Sequence, residues 1–211
     1  MQNSKFKISD SLLTHYPLPT IEIALFGTSA DPPNIAHRAI LQWLSQHFDR
    51  VAVWASDNPF KSNQTSISHR WEMLQLTIDD LQKGDGINPP CCNIELYPQL
   101  SSPKALHSVQ IAKSYWSNAN FTFVIGADLV PQLPHWYRFE ELLQQVRILA
   151  IPRPGYYLRS QDVEPLQKIG FLEIANLPMP DVSSTHYRQT KDASVIPQPV
   201  EAYIDREKLY A

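Results

Sequence analysis

The chain has 211 residues, of which 43% are hydrophobic and 18% charged, and its formal net charge is −3. This length predicts one large domain, and the slightly acidic charge argues against a nucleic-acid-binding surface. No apolar run reaches the ~18 residues of a membrane-spanning helix, and charged side chains interrupt residues 1–20, where a signal peptide would be apolar. We therefore expect a cytoplasmic protein with no membrane contact, a flexible arm over residues 1–18 and a single domain over residues 19–211.

Strand and helix signals alternate along the sequence from residue 21 onward. Apolar runs predict strands at 21–26, 51–54, 94–96, 121–125, 147–151 and 171–175. Between them, apolar residues at helical spacing predict helices at 36–48, 66–82, 105–116, 140–145 and 162–169, and two helical turns follow Ser184 and Pro199. Repeated strand–helix units of this length predict an α/β fold with a doubly wound, mostly parallel sheet.

Ligands of such sheets bind outside the carboxyl ends of the strands. Two segments that suit phosphate are expected at that edge. The first runs from Gly27 to His37, between a strand and a helix, and the second contains Ser183, Ser184 and Thr185 before a helical turn. Small and hydroxyl residues at such turns expose backbone N–H groups, and a helix N-terminus favours anions. Together the two segments indicate phosphoryl chemistry.

The order and spacing of these segments resemble the nicotinate-nucleotide adenylyltransferases, a family of the nucleotidyltransferase superfamily with a His-x-Gly-His motif. The family pattern Gly-Thr-Phe-Asp-Pro, followed by that motif, corresponds here to Gly27-Thr28-Ser29-Ala30-Asp31-Pro32-Pro33-Asn34-Ile35-Ala36-His37, with one extra residue. Asn34 stands in place of the first histidine and Ala36 in place of the glycine. The second signature, Ser-Ser-Thr-x-x-Arg, is intact as Ser183, Ser184, Thr185 and Arg188.

The resemblance extends from about residue 21 to residue 210. Further matches are Phe123-Val124-Ile125-Gly126-Ala127-Asp128, Leu133-Pro134-His135-Trp136-Tyr137-Arg138, Arg153-Pro154-Gly155-Tyr156, Val200-Glu201-Ala202-Tyr203-Ile204 and Leu209-Tyr210. The resemblance implies a Rossmann-like nucleotidyltransferase fold.

The resemblance also implies adenylyl transfer from ATP to the phosphate of nicotinate mononucleotide, which yields a dinucleotide and pyrophosphate in NAD biosynthesis. Such a transfer needs in-line positioning and charge neutralisation more than a protein nucleophile. His37, Asn34 and Arg188 are then the candidate catalytic residues. The candidate ATP-binding residues are Gly27, Thr28, Ser29, His37, Ser184, Thr185 and Arg188. Mg²⁺ is expected to arrive on the ATP phosphates, and the sequence predicts no metal site made by the protein.

On the acceptor side, the resemblance implies that Trp136 stacks on the pyridine ring and that Asp128, after Gly126, supports the ribose or the neighbouring backbone. Lys61 matches a basic residue in a loop of the family and could steer an anionic substrate. The family carries a Ser-Tyr-Thr-x-Asp segment upstream of its central strand. Its threonine and aspartate fall on Ala105 and His107 here.

Three hypotheses follow from these departures. The chain makes nicotinate adenine dinucleotide or its amide analogue. Alternatively, it is a nucleotidyltransferase of the same fold with another phosphate acceptor, or a nucleotide-binding relative without catalysis. An aromatic platform at Trp136 favours the first hypothesis, because a flat pyridine ring needs one. The sequence does not determine the oligomeric state.

Overall fold

The computed structural model describes residues 20–56, 64–84, 86–168 and 170–211. The predicted arm over residues 1–18 and Lys61 lie outside these residues. Within them, six strands form one sheet: β1 (Ile21–Thr28), β2 (Arg50–Ala55), β3 (Ile94–Leu96), β4 (Ala119–Gly126), β5 (Arg147–Ile151) and β6 (Leu172–Ile174). The strand order is β3-β2-β1-β4-β5-β6 and every pairing is parallel, which confirms the predicted doubly wound sheet.

The described residues also contain seven α-helices: α1 (Ile35–His47), α2 (Ile67–Lys83), α3 (Ala105–Tyr115), α4 (Phe139–Leu143), α5 (Ser160–Lys168), α6 (Ser184–Thr190) and α7 (Gln198–Glu207). The predicted bounds of helices and strands differ from these by at most two residues. None of these helices combines the length and apolar character needed to cross a bilayer. Three 3₁₀ segments were not predicted: Pro98–Leu100, Ala127–His135 and Ala193–Val195.

The sheet is buried on both faces because its strands carry apolar residues at successive positions. In β1, Ile23 and Leu25 belong to one core, whereas Ala24 and Phe26 belong to the other. Helices α3, α4 and α5 cover the first face, and α1 and α2 cover the second. Helices α6 and α7 pack on α2 through a third cluster that includes Met73. Continuous apolar strands of this kind are typical of parallel sheets.

The strand order reverses direction between β1 and β4, so this is where a crevice opens at the carboxyl edge. The loop after β1 enters α1, and Gly126 at the end of β4 leads into the 3₁₀ segment. The fold therefore brings the Gly27–His37 segment and the Gly126–Asp128 segment to neighbouring positions at the switch point.

Gly27 near the end of β1 packs directly against Trp54 of β2. A Cβ atom on Gly27 would lie 2.6 Å from two ring carbons of Trp54, well inside the ~3.5 Å of ordinary carbon contact. The indole is only 2% exposed and cannot turn away into solvent. A residue larger than glycine at position 27 would therefore clash with the indole of Trp54.

We expect Gly27→Ala to destabilise the protein by about 1–3 kcal/mol, because the added methyl group overpacks the core beside Trp54. Denaturant unfolding without nucleotide measures the change. Gly126→Ala is a matched control, since its Cβ would crowd only the carboxylate of Asp128, a side chain that can move. Equal stability of Gly27→Ala and the unmodified protein would contradict the packing argument.

Candidate active site

Asn34 begins α1 as its N-cap. Its Oδ1 accepts hydrogen bonds from the backbone N–H groups of Ala36 at 3.0 Å and His37 at 3.2 Å. Asparagine is among the preferred residues at this position because its side chain satisfies the unpaired N–H groups of the first turn. The residue is 2% exposed. These contacts are those of an N-cap residue, and they also hold the backbone of Ala36 and His37 in place.

The imidazole of His37 is held from two sides. Nε2 lies 3.0 Å from Oγ1 of Thr28, and Nδ1 lies 2.8 Å from Oδ1 of Asn34 and 3.2 Å from the Asn34 backbone nitrogen. Nδ1 can therefore donate to Oδ1 of Asn34 or accept from the backbone N–H of Asn34. When Nδ1 accepts, Nε2 carries the proton and can donate to Thr28 or to a phosphate oxygen.

Helix α6 brings the second predicted segment against the first. Ser183 caps α6 by accepting from the N–H of His186 at 3.1 Å. The hydroxyl of Ser184 donates to the carbonyl oxygen of Pro32 at 2.7 Å and lies 3.5 Å from Nδ2 of Asn34. The structure thus brings together two segments that are about 150 residues apart in the sequence.

Arg188 lies one turn into α6 and also contacts the loop after β1. Its Nη1 donates to the carbonyl oxygen of Asp31 at 2.5 Å, and its Nη2 donates to Oγ1 of Thr185 at 3.2 Å. A guanidinium group carries five N–H donors. In the described part of the chain two of them are used, so the exposed Arg188 has donors left for an anion.

Arg70 of α2 lies beneath this site. It is 2% exposed, and its guanidinium donates to the carbonyl oxygens of Thr65 at 2.9 Å, Ser29 at 3.1 Å and Ser56 at 2.8 Å. These carbonyls belong to the start of the α2 segment, the loop after β1 and the end of β2. A buried positive charge therefore ties the three segments together next to the loop.

Asp31 and Tyr210 were missed as site residues. The carboxylate of Asp31 accepts from the hydroxyl of Tyr210 at 2.6 Å and from the N–H of Thr65 at 3.3 Å. Burial, followed by the hydrogen bond to Asp31, raises the pKa of Tyr210. The matches of Asp31-Pro32 and Leu209-Tyr210 to the family were the signals that could have identified them.

The predicted acceptor residues lie at the neighbouring strand ends. Asp128 accepts from Nη1 of Arg153 at 2.8 Å and folds back over Gly126, where a Cβ atom would lie 2.5 Å from Oδ1 of Asp128. Trp136 follows the 3₁₀ segment, is partly buried and packs edge-on against Phe123, with the ring centroids 6.2 Å apart. The segment after β4 therefore supplies both a carboxylate and an aromatic ring, and Arg153 after β5 pairs with that carboxylate.

A basic group formed by Lys104 and His107, at the start of α3, lies against Tyr137, the residue that follows Trp136. Nζ of Lys104 is 4.0 Å from the ring centroid of Tyr137, and the ring of His107 packs against the same tyrosine with centroids 5.6 Å apart.

Among the described residues, no group of three or more His, Cys, Asp or Glu side chains could hold a metal ion.

The chain is similar to proteins of known family. The family model described as cytidylyltransferase-like matches residues 25–190. A probable nicotinate-nucleotide adenylyltransferase of Synechocystis sp. is 41% identical over 204 residues, which are 90% of this chain and 99% of the relative. The nicotinate-nucleotide adenylyltransferase of Bacillus subtilis is 28% identical over 201 residues, which are 90% of this chain and 98% of the relative.

A solved structure shares the fold. The Plasmodium falciparum nicotinic acid mononucleotide adenylyltransferase complexed with NaAD superposes with a TM-score of 0.75 at 22% identity, over 90% of this chain and 97% of that one. The likeness to the Synechocystis relative spans nearly the whole of both proteins, and the family model covers most of the sheet and α6. The chain therefore belongs to the nicotinate-nucleotide adenylyltransferases, within the cytidylyltransferase-like family.

Proposed function

We propose that this chain transfers the adenylyl group of ATP to nicotinate mononucleotide and releases nicotinate adenine dinucleotide and pyrophosphate, a step of NAD biosynthesis. The observation that carries the proposal is the contact between the β1–α1 loop and α6. Through it, His37, Thr185 and Arg188 lie around one crevice at the switch point of the sheet. Membership of the family supports the choice of reaction and acceptor.

In this reaction a phosphate oxygen of the mononucleotide attacks the α-phosphorus of ATP, and the bond to the β-phosphate oxygen breaks. The protein has to align the two phosphates and stabilise the charge that develops on the leaving pyrophosphate. We assign His37 to the α- and β-phosphates, through the proton on Nε2. Thr185 and Arg188 then hold the β- and γ-phosphates, and Ser184 fixes α6 against the loop.

The remaining predicted ATP residues line the loop around His37. Thr28 contacts the imidazole at 3.0 Å, the Ser29 carbonyl accepts from Arg70, and Gly27 leaves room for Trp54. Asn34, predicted as catalytic, is almost completely buried and caps α1. Its contacts support a role in which it positions His37 instead of touching the substrate.

We propose that Mg²⁺ enters with ATP and takes the phosphate oxygens as its ligands, so that it is part of the substrate. On the acceptor side, Trp136 would stack on the pyridine ring and Asp128, with Gly126, would support the ribose. Lys61 lies outside the described residues, and its steering role remains a proposal from the sequence. We also propose a cytoplasmic location, in keeping with the use of soluble nucleotides.

The basic group at the start of α3 supports an anionic acceptor. Lys104 and His107 both pack on Tyr137, the residue after the proposed pyridine platform. A positive charge there favours the carboxylate of nicotinate over the neutral amide of nicotinamide, because only the carboxylate carries a negative charge that the cation attracts.

The proposed reaction is tested by pyrophosphate release with ATP and Mg²⁺, measured in parallel on nicotinate and nicotinamide mononucleotide. We expect turnover with the nicotinate form well above that with the amide form. Equal rates or a preference for the amide would retain adenylyl transfer and contradict the acceptor. ATP binding with no turnover of either acceptor would indicate a non-catalytic relative.

We expect His37→Ala to lower kcat by about 10²–10³, because the contact to the phosphates strengthens in the transition state. Steady-state pyrophosphate release measures the change. His47→Ala is the control: this histidine is in the last turn of the same helix, at the opposite edge of the sheet. A loss below about threefold for His37→Ala would exclude the assigned role.

We expect Trp136→Leu to raise the KM for the mononucleotide about tenfold and to leave the KM for ATP unchanged, because leucine fills the core but offers no ring for stacking. Trp136→Phe should fall between this variant and the unmodified enzyme. Equal increases in both KM values would indicate a general loss of packing and contradict the platform.

A further inference from the structure

Asp31 is the residue at which four parts of the chain meet. Its carboxylate accepts from the hydroxyl of Tyr210 at 2.6 Å and from the N–H of Thr65 at 3.3 Å. Its backbone carbonyl oxygen accepts from Arg188 at 2.5 Å. The β1–α1 loop, the segment before α2, helix α6 and the segment after α7 are thus joined through one residue that is 5% exposed.

The backbone after α7 bends sharply to bring Tyr210 to this point. Lys208 and Tyr210 have positive φ angles of 53° and 62°, a left-handed conformation that side-chain-bearing residues adopt at a cost in free energy. Between them, the N–H of Leu209 returns to the carbonyl oxygen of Ile204 at 3.0 Å. Two strained residues in one short turn indicate that the position of the tyrosine is specified.

Tyr210 is also tied to the helix that carries Arg188. Its ring packs edge-on against the buried Tyr187 of α6, with centroids 6.1 Å apart, and Nζ of Lys191 donates to its carbonyl oxygen. Because burial and Asp31 raise its pKa, the hydroxyl keeps its proton and remains a hydrogen-bond donor throughout the pH range of enzyme assays.

We propose that Tyr210 is a positioning residue for adenylyl transfer: it holds Asp31, whose carbonyl oxygen in turn orients the guanidinium of Arg188 toward the phosphates of ATP. The inference rests on the proposed function and adds a residue that acts through Asp31. Without the hydroxyl, the buried carboxylate loses a donor and must shift to find another. The carbonyl oxygen of the same residue shifts with it, and the arginine loses its fixed orientation.

The test is Tyr210→Phe, which removes the hydroxyl and keeps the ring. We expect ATP to bind about tenfold more weakly by calorimetry and the KM for ATP to rise by a similar factor, as for a lost hydrogen bond to a charged group. The KM for nicotinate mononucleotide should stay within about twofold, because the residues assigned to that substrate end or follow β4, away from Tyr210. Tyr187→Phe is the control, since it changes a buried tyrosine at the same junction that does not reach Asp31.

A second measurement separates positioning from a general loss of structure. The same replacement is made in an Arg188→Ala background, where we expect less than a twofold further loss of ATP affinity, because the oriented group is already gone. Unchanged ATP binding in Tyr210→Phe, or a full tenfold loss that persists without Arg188, would overturn the inference. The ATP titration needs no acceptor. An unmodified protein that binds ATP without turnover would therefore contradict the proposed function alone.

Discussion

The arrangement of the site depends on hydrogen bonds that α6 donates to two backbone carbonyl groups of the β1–α1 loop. Ser184 donates to Pro32, and Arg188 donates to Asp31. Both loop residues are buried, and a buried carbonyl group without a partner costs free energy. The loop can therefore keep this shape only while α6 is docked. The same contacts set the separation of the two segments that we propose to bind phosphate, so folding and the proposed catalysis share one constraint.

The replacement of a motif histidine by Asn34 is compatible with this constraint. The position is buried, begins a helix and faces α6, and an asparagine meets all three requirements without burying a charge. A charged imidazole in the same place would need a compensating partner. The histidine that the chain retains, His37, is the one that is partly exposed and in contact with Thr28. The contacts of Asn34 are thus those of a residue that holds the loop.

The sheet could be predicted from the sequence because a continuous run of apolar residues is a local pattern. Residues 121–125, for example, lie within β4, with their side chains divided between two cores. The 3₁₀ segment Ala127–His135 was not predicted because Pro131 and Pro134 remove backbone donors and disguise a helical run as a loop. The contact between Tyr210 and Asp31 joins positions 179 apart, and no local pattern encodes it.

A chain with a net charge of −3 needs a local excess of positive charge to bind a triphosphate. Arg70 and Arg188 supply that charge, because their hydrogen bonds in the described part of the chain go to neutral oxygen atoms. Arg70 donates only to carbonyl oxygens in the described part of the chain, so its full charge acts on the crevice through a medium of low dielectric constant. Asp31 carries a negative charge, opposite to that of the two arginines. Its carboxylate accepts hydrogen bonds from Tyr210 and from the backbone N–H of Thr65. These neutral donors stabilise the negative charge without a buried cation. In the described part of the chain, Arg188 donates to the carbonyl oxygen of Asp31 and to the hydroxyl of Thr185, both of them neutral acceptors, so its charge is left for the ligand. The Asp31 carboxylate forms its described hydrogen bonds with the Tyr210 hydroxyl and a backbone N–H and not with an arginine, so N–H donors of Arg188 stay available for a phosphate.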